Sequence, residues 1–278
     1  MKRLLLSALL VVLVSCGGAD GDGAERTSGA AATDAVGEAV EATAAAGSVA
    51  FEMTVEFEGG SQVPEGTKIH MTGRSTLGDP RTAELSADFE ALGVGDIDML
   101  IDDQHLYMHG GVFDRALDSL EGEPEWVFVD LTSSDPAVDQ FRSLSSGQND
   151  ASLLLYFLLG ADGDLEELGT DDVGGVPTTH YSLTADLERA VDEAPADVQD
   201  ALRSNVALLQ STGVGTRVEA EVWIDDDHLI RQVAYVYELT QEGGGSLLTT
   251  ASFSEFGKRI ELDIPGPNDI VDVTEIRG

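Results

Sequence analysis

Lysine is almost missing from this chain. Only Lys2, Lys68 and Lys258 occur, and all basic side chains together number 15 against 52 acidic ones, a net charge of −37. Such a field repels phosphate backbones and anionic headgroups, which excludes nucleic acid as a partner. Cysteine is scarcer still. Cys16 stands alone, so no intramolecular disulfide forms and a conventional core has to hold the fold. Long apolar runs are also lacking. Leu4–Val14, interrupted by Ser7, and Leu153–Leu159 both fall short of the roughly 20 residues that a spanning helix needs. With 42% hydrophobic residues the chain can nonetheless bury a sizeable core, and its acidity does not imply general disorder.

What is present begins at the N-terminus. Lys2 and Arg3 precede the short apolar run Leu4–Val14, then small Ser15, then Cys16 followed by Gly17 and Gly18. Charge, apolar core and small residue in that order form a secretory leader over residues 1–15. A cysteine at the first mature position resembles the lipobox of bacterial lipoproteins. That resemblance implies cleavage before Cys16, lipidation of its thiol, and a place on the extracytoplasmic face of the cell membrane. Two or three acyl chains make such an anchor effectively permanent, whereas one is marginal. Residues 16–33 are mostly Gly, Ala, Ser and Asp, the composition of a flexible tether.

From there the pattern gives one domain over 34–278. Thr33 or Asp34 can cap a helix over residues 35–46, with Val36, Val40 and Ala44 on one face. The period then drops to two. Phe51, Met53, Val55 and Phe57 alternate with Glu52, Thr54, Glu56 and Glu58, and similar alternation recurs around Ile69–Leu77, Ala83–Ala91 and Ile97–Met108. Short connections between these segments favour an antiparallel meander. The middle predicts helices over 113–120, 137–144 and 151–159, with a strand near 126–131. A hairpin across Gly174-Gly175 follows, then helical segments over 187–209 divided near Pro195, then a second meander over 216–224, 229–239, 246–256 and 260–264. The motif at 101–106 (IDDQHL) recurs at 224–229 (IDDDHL), which predicts two equivalent hairpin turns.

Chemistry is thin. His105 and His109 fall on a predicted strand, where four residues span about 13 Å, too far for one metal ion. His180 lies in another strand and His228 in a turn. The Asp225-Asp226-Asp227 triplet lacks the spaced ligands of a calcium loop. No nucleophile elbow, phosphate loop or dinucleotide fingerprint occurs. The expectation is a non-enzyme with no catalytic residues, no metal and no cofactor. A large sheet with one dry face and few helices to cover it suggests an apolar binding cavity instead.

Several segments together resemble a known family: the lipobox cysteine, the tether, the first helix, the Ser48–Met53 strand, and two meanders around a helical middle. Later come Gly175–Tyr181, Glu221–Asp225 and Phe253–Gly257. In that order, over roughly residues 34–270, they look like the LppX/LprG-type lipoproteins of the LolA-like superfamily. The resemblance implies an α+β fold, a curved antiparallel half-barrel sheet wrapped over several helices, with an apolar cavity for acyl chains. The expected partners are the membrane, through the lipid anchor, a lipid or glycolipid ligand, and an envelope protein. Cys16 is the expected lipidation site. Phe51, Met53, Leu85, Phe89, Leu153, Leu154, Phe157 and Leu158 are the expected ligand-lining residues. The alternative is a noncatalytic envelope sensor or regulator that binds another protein.

Overall fold

Alternating strands need hydrogen-bonded neighbours and cover for the apolar face, and among the described residues twelve strands join in one sheet. The computed structural model describes residues 29–59, 64, 66–78, 81–117, 120, 124–143, 151–240 and 244–276. Cys16, the leader over 1–15 and the tether as far as residue 28 lie outside the described residues.

The first meander comprises β1 (Ser48–Glu58), β2 (Lys68–Thr76), β3 (Thr82–Asp88), β4 (Asp96–Asp102), β5 (His105–Gly110) and β6 (Trp126–Asp130). The second comprises β7 (Ala161–Val173), β8 (Val176–Asp186), β9 (Arg217–Asp225), β10 (Ile230–Glu238) and β11 (Ser246–Ser254). β1 pairs antiparallel with β11, from Ala50 opposite Ser254 to Glu58 opposite Ser246, and this seam joins the two meanders. A short β12 (Ile270–Asp272) adds to β6 in parallel, giving the order β12-β6-β5-β4-β3-β2-β1-β11-β10-β9-β8-β7. The sheet is open, with β12 and β7 at its edges. Acidic, mostly exposed residues such as Glu166, Glu167, Asp171 and Asp172 occupy β7, and two register shifts interrupt it. Charge and bulges of this kind blunt an edge against pairing with other chains. The fold is the α+β, largely antiparallel open sheet that the resemblance implies, built from the antiparallel meanders that the alternation predicts.

Helices cover one face. α1 (Gly29–Ala45) buries Val36, Ala39, Val40 and Thr43, a stripe at helical spacing. Thr43 is fully buried, and its Oγ1 accepts the Ile230 amide at 2.9 Å, which pins the helix to β10. The helix ends at Gly47, whose φ of 80° supplies the left-handed turn into β1. It starts earlier than the expected cap at Thr33 or Asp34. Ala30-Ala31-Ala32 have the highest helix propensity of any residue type, and the helix extends through them into the expected tether.

α4 (Ala151–Phe157), α5 (Leu187–Glu193) and α6 (Gln199–Ser211) join α1 over the second meander and β1 in the main core. α2 (Val112–Leu117) and α3 (Pro136–Ser143) cover β3–β6 in a separate, smaller core around Ile101, Leu106, Met108, Val127 and Val129. Within the main core Tyr235 packs edge-on against Phe157 and donates its hydroxyl to Leu154 O at 2.7 Å. Burial pushes the hydroxyl pKa values of Tyr235 and its stacked neighbour Tyr237 well above the ordinary tyrosine value.

Two expectations need correction. The segment 260–264 is no strand. Ile260 and Leu262 alternate as a strand would, but residues 258–269 pair with nothing as a ladder, and Pro265 and Pro267 remove two of the amides a ladder would use. The chain instead runs as an irregular strap to β12. The two IDDxHL hairpins are also not equivalent. Asp102 pairs directly with His105 across a two-residue turn with Asp103 at φ 53°, whereas β9 and β10 are joined by a longer loop with His228 at φ 60°.

The reason lies in Asp225. Its buried carboxylate accepts the amides of Asp227 and Leu229, each at 2.9 Å, and holds Arg231 Nε at 2.5 Å. Removing one partner of a buried charged pair strands the other. Asp225→Ala is therefore expected to lower stability by about 3–5 kcal/mol, measured by urea unfolding, with Asp225→Asn milder because it keeps an acceptor for the loop amides.

Candidate functional site

The helix-bearing face carries its inward side chains in cross-strand rows. One row is Val49, Ser75, Ala83, Ile101, Leu106 and Val129, from β1 to β6, and every member is buried. The next row is Phe51, Gly73, Leu85, Met99, Met108 and Val127. A third is Met53, Met71, Ala87, Ile97 and Gly110. Phe51 and Met53 at one end of these rows belong to the main core, and Met108 and Val127 at the other end of the second row belong to the smaller one, but Leu85 and Met99 in one and Met71 and Ile97 in the other are only half-buried. The main core stops at β2–β3 and the smaller one begins at β3–β4. Between them lies a half-covered apolar strip across β2–β4, closed on the Ser75–Ile101 side.

At its other end the strip leads to the β3–β4 connection. Phe89 is half-buried there, and the short 3-10 turn that follows exposes Leu92 (43%). This connection is held in place by the amides of Phe89 and Val94, which donate to Gly95 O and Phe89 O at 3.2 Å each. The floor of the strip is notched at Gly73. A Cβ there would lie 2.8 Å from Phe51 Cζ and 2.4 Å from Glu84 O, so the absence of a side chain lets the Phe51 ring lie across β2.

Methionine dominates this surface. Of the five in the chain, Met53, Met71, Met99 and Met108 all face the strip or its margins. Their flexible, polarizable side chains adapt to irregular apolar shapes. Phe51, Met53 and Leu85, expected from the sequence as lining residues, stand at or beside the strip, and Phe89 stands at its end. Leu153, Phe157 and Leu158 are placed in the main core, with Leu154 partly buried against it. Met71, Ile97 and Met99 complete the strip and were not singled out from the sequence. Methionines recurring on the same face of successive strands were the available signal.

The histidines are engaged elsewhere. His180 stacks on Trp223 at 4.1 Å, with Nδ1 at 3.0 Å from Asp171 Oδ2 and Nε2 at 3.2 Å from Glu221 Oε2. The Trp223 indole N–H donates to the same Asp171 oxygen at 3.1 Å. His105 and His109 do lie on one strand, packed against Phe128 and Trp126 respectively. Among the described residues no three His, Cys, Asp or Glu side chains come together to hold a metal ion, and no helix is long and apolar enough to cross a membrane.

A half-buried methionine contributes less to stability than one in a filled core. Met108→Ala should cost about 2–5 kcal/mol. Met71→Ala and Met99→Ala should each cost under about 1.5 kcal/mol, and equal losses at all three positions in chemical denaturation would show that the strip is packed shut.

No protein-family pattern matches the chain. An uncharacterized 31.2 kDa protein from the rplA-rplJ intergenic region of Streptomyces griseus is 30% identical over 147 residues, 52% of this chain and 44% of that protein. The match thus spans less than half of the curated relative. Among solved structures, lipoprotein LppX of Mycobacterium tuberculosis superposes with a TM-score of 0.47 at 16% identity, covering 84% of this chain and 99% of that one. LprF of Mycobacterium bovis gives 0.48 at 17% identity, covering 86% and 98%. A LolA superfamily protein of Nitrosomonas europaea gives 0.28 at 8% identity, covering 82% and 95%. These are likenesses at low identity, and the fold class rests on the strand order and the single helix-bearing face described above.

Proposed function

We propose that this protein is a noncatalytic, membrane-anchored extracytoplasmic lipoprotein that shelters a lipid or acyl chain on the apolar strip of β2–β4. The observation that carries the reading is the half-buried floor of Met71, Leu85, Ile97 and Met99 between two clusters of buried side chains. Each methylene withdrawn from water there contributes about 0.8 kcal/mol. A lipid tail therefore gains affinity in proportion to its length without any specific polar contact. Adaptable methionines suit a ligand with many conformers. Exposed Leu92 beside the open end offers an apolar edge over which a chain can enter.

The direct test is organic extraction of the purified full-length protein followed by mass spectrometry, with the covalently attached chains accounted for separately. The expected result is a non-covalent lipid that is lost, or reduced at least about tenfold, in Met99→Asp, which places a charge on the strip. Met71→Asp repeats the test if Met99→Asp does not fold. An empty wild-type protein that crosslinks to an envelope protein in a stable complex would instead favour the sensor alternative.

Anchoring through Cys16 is a separate part of the reading and rests on the leader sequence. Cys16→Ser should release the protein from membranes or stall its processing, read by fractionation, while its thermal unfolding stays unchanged. Loss of folding in Cys16→Ser would make the residue structural and remove the anchor from the proposal.

A further inference from the structure

The opposite face of the same sheet carries a second depression, with different chemistry. Outward residues of β1–β4 and β6, with Phe51, Gly73 and Leu85 between them and Asp263 of the strap, line a groove of about 570 Å³, within the range of small-molecule sites. Its floor holds a cross-strand row of Thr72, Ser86 and Asp98, from β2 to β4. Trp126, braced by the His109 ring at 5.1 Å, stands at the β6 end. Beside the row, Arg74 donates through Nε and Nη2 to one oxygen of Glu84, at 2.9 and 2.6 Å. The half-buried Asp98 carboxylate makes no side-chain hydrogen bond among the described residues.

Those groups restrict what fits. A free anion meets Asp98, Asp263 and the overall charge of −37. A metal ion finds no three converging His, Cys, Asp or Glu side chains among the described residues, and the Glu84 carboxylate is already taken up by Arg74. An uncharged ligand rich in hydroxyls meets neither penalty. Its hydroxyls can donate to Asp98 and to the second Glu84 oxygen, and accept from Ser86 and Thr72. The apolar face of a sugar ring can lie against the Trp126 indole, which combines a large apolar surface with a polar edge.

We propose that this groove is a binding site for an uncharged saccharide. It opens on the other face of the sheet from the acyl strip; Phe51, Gly73 and Leu85 border both, whereas Thr72, Ser86, Asp98 and Trp126 belong to the groove alone, so variants at Asp98 and Trp126 test it apart from the acyl reading. The ligand chemistry is the same for a free sugar and for a lipid headgroup, and the test distinguishes them.

Saturation-transfer NMR on the full-length protein in a non-glycosidic detergent would use maltose, lactose and cellobiose as probes, with glucuronate and spermidine as charged comparators. The expected result is saturable binding of at least one disaccharide, weakened about tenfold or more by Trp126→Ala and about fivefold or more by Asp98→Asn. Asp98→Asn preserves the test if Trp126→Ala does not fold. No saturable disaccharide binding, binding indifferent to both variants, or tighter binding of either charged comparator would overturn the proposal. Dodecyl maltoside bound more tightly than maltose and weakened by Trp126→Ala would assign the groove to a lipid headgroup, equal affinities would assign it to a free sugar, and dodecyl maltoside binding unaffected by Trp126→Ala would report the apolar strip and count against the groove.

Discussion

The seam between β1 and β11 is the constraint on which the rest of this molecule depends. Each meander is built from local hairpins, but neither is closed on its own. Pairing Ala50–Glu58 with Ser254–Ser246 makes them one sheet, and Ser48 Oγ reinforces the seam by donating to Lys258 O at 2.6 Å across 210 positions of chain. Contacts so distant in sequence carry a loop-closure cost and form late unless something local supports them. The first helix adds a second long-range tie. Thr43 of α1, next to β1 in sequence, accepts the Ile230 amide at the start of β10, so the helix links the two sides of the seam.

From that joint follows the division of the covered face. The helices of the main core cluster over β1 and β7–β11, and the two short helices of the smaller core sit over β3–β6. A sheet this wide exceeds what either group covers. The exposure falls where their edges meet, on strands β2–β4, and the residues there are those that tolerate partial burial best. The outward face of the same strands is polar, so a single stretch of sheet presents an adaptable apolar surface on one side and a hydrogen-bonding one on the other.

Much of this was legible because strand alternation is a local property. Phe51, Met53 and Leu85 could be assigned to the dry face from period two alone, and the hairpin connections followed from spacing. The ends of the chain were harder. Ile260, Leu262 and Ile264 carry the same alternation as a strand, and only the neighbouring prolines and the missing ladder partners separate the two. β12 pairs in parallel through three residues with a strand far away in sequence, which no local pattern encodes. The Leu153–Leu158 run posed the opposite problem. A continuous apolar segment looks alike whether it faces a ligand or fills a core, and the contact that places it, Tyr235 against Phe157, lies in another meander.

The strap over 258–269 has a mechanical consequence. It leaves the end of β11 and reaches β12, seven strand spacings away, about 33 Å at the usual separation. Fully stretched, that length of chain reaches only about 40 Å. Two prolines stiffen it, the Lys258 carbonyl is held by Ser48, and the amides of Glu125 and Trp126 grip Asp269 O at the far end. A tie with so little slack works as a travel stop. The sheet cannot splay far enough to spread β1 from β6 without breaking one of its moorings, so the C-terminal segment sets the limit to how widely the domain can breathe.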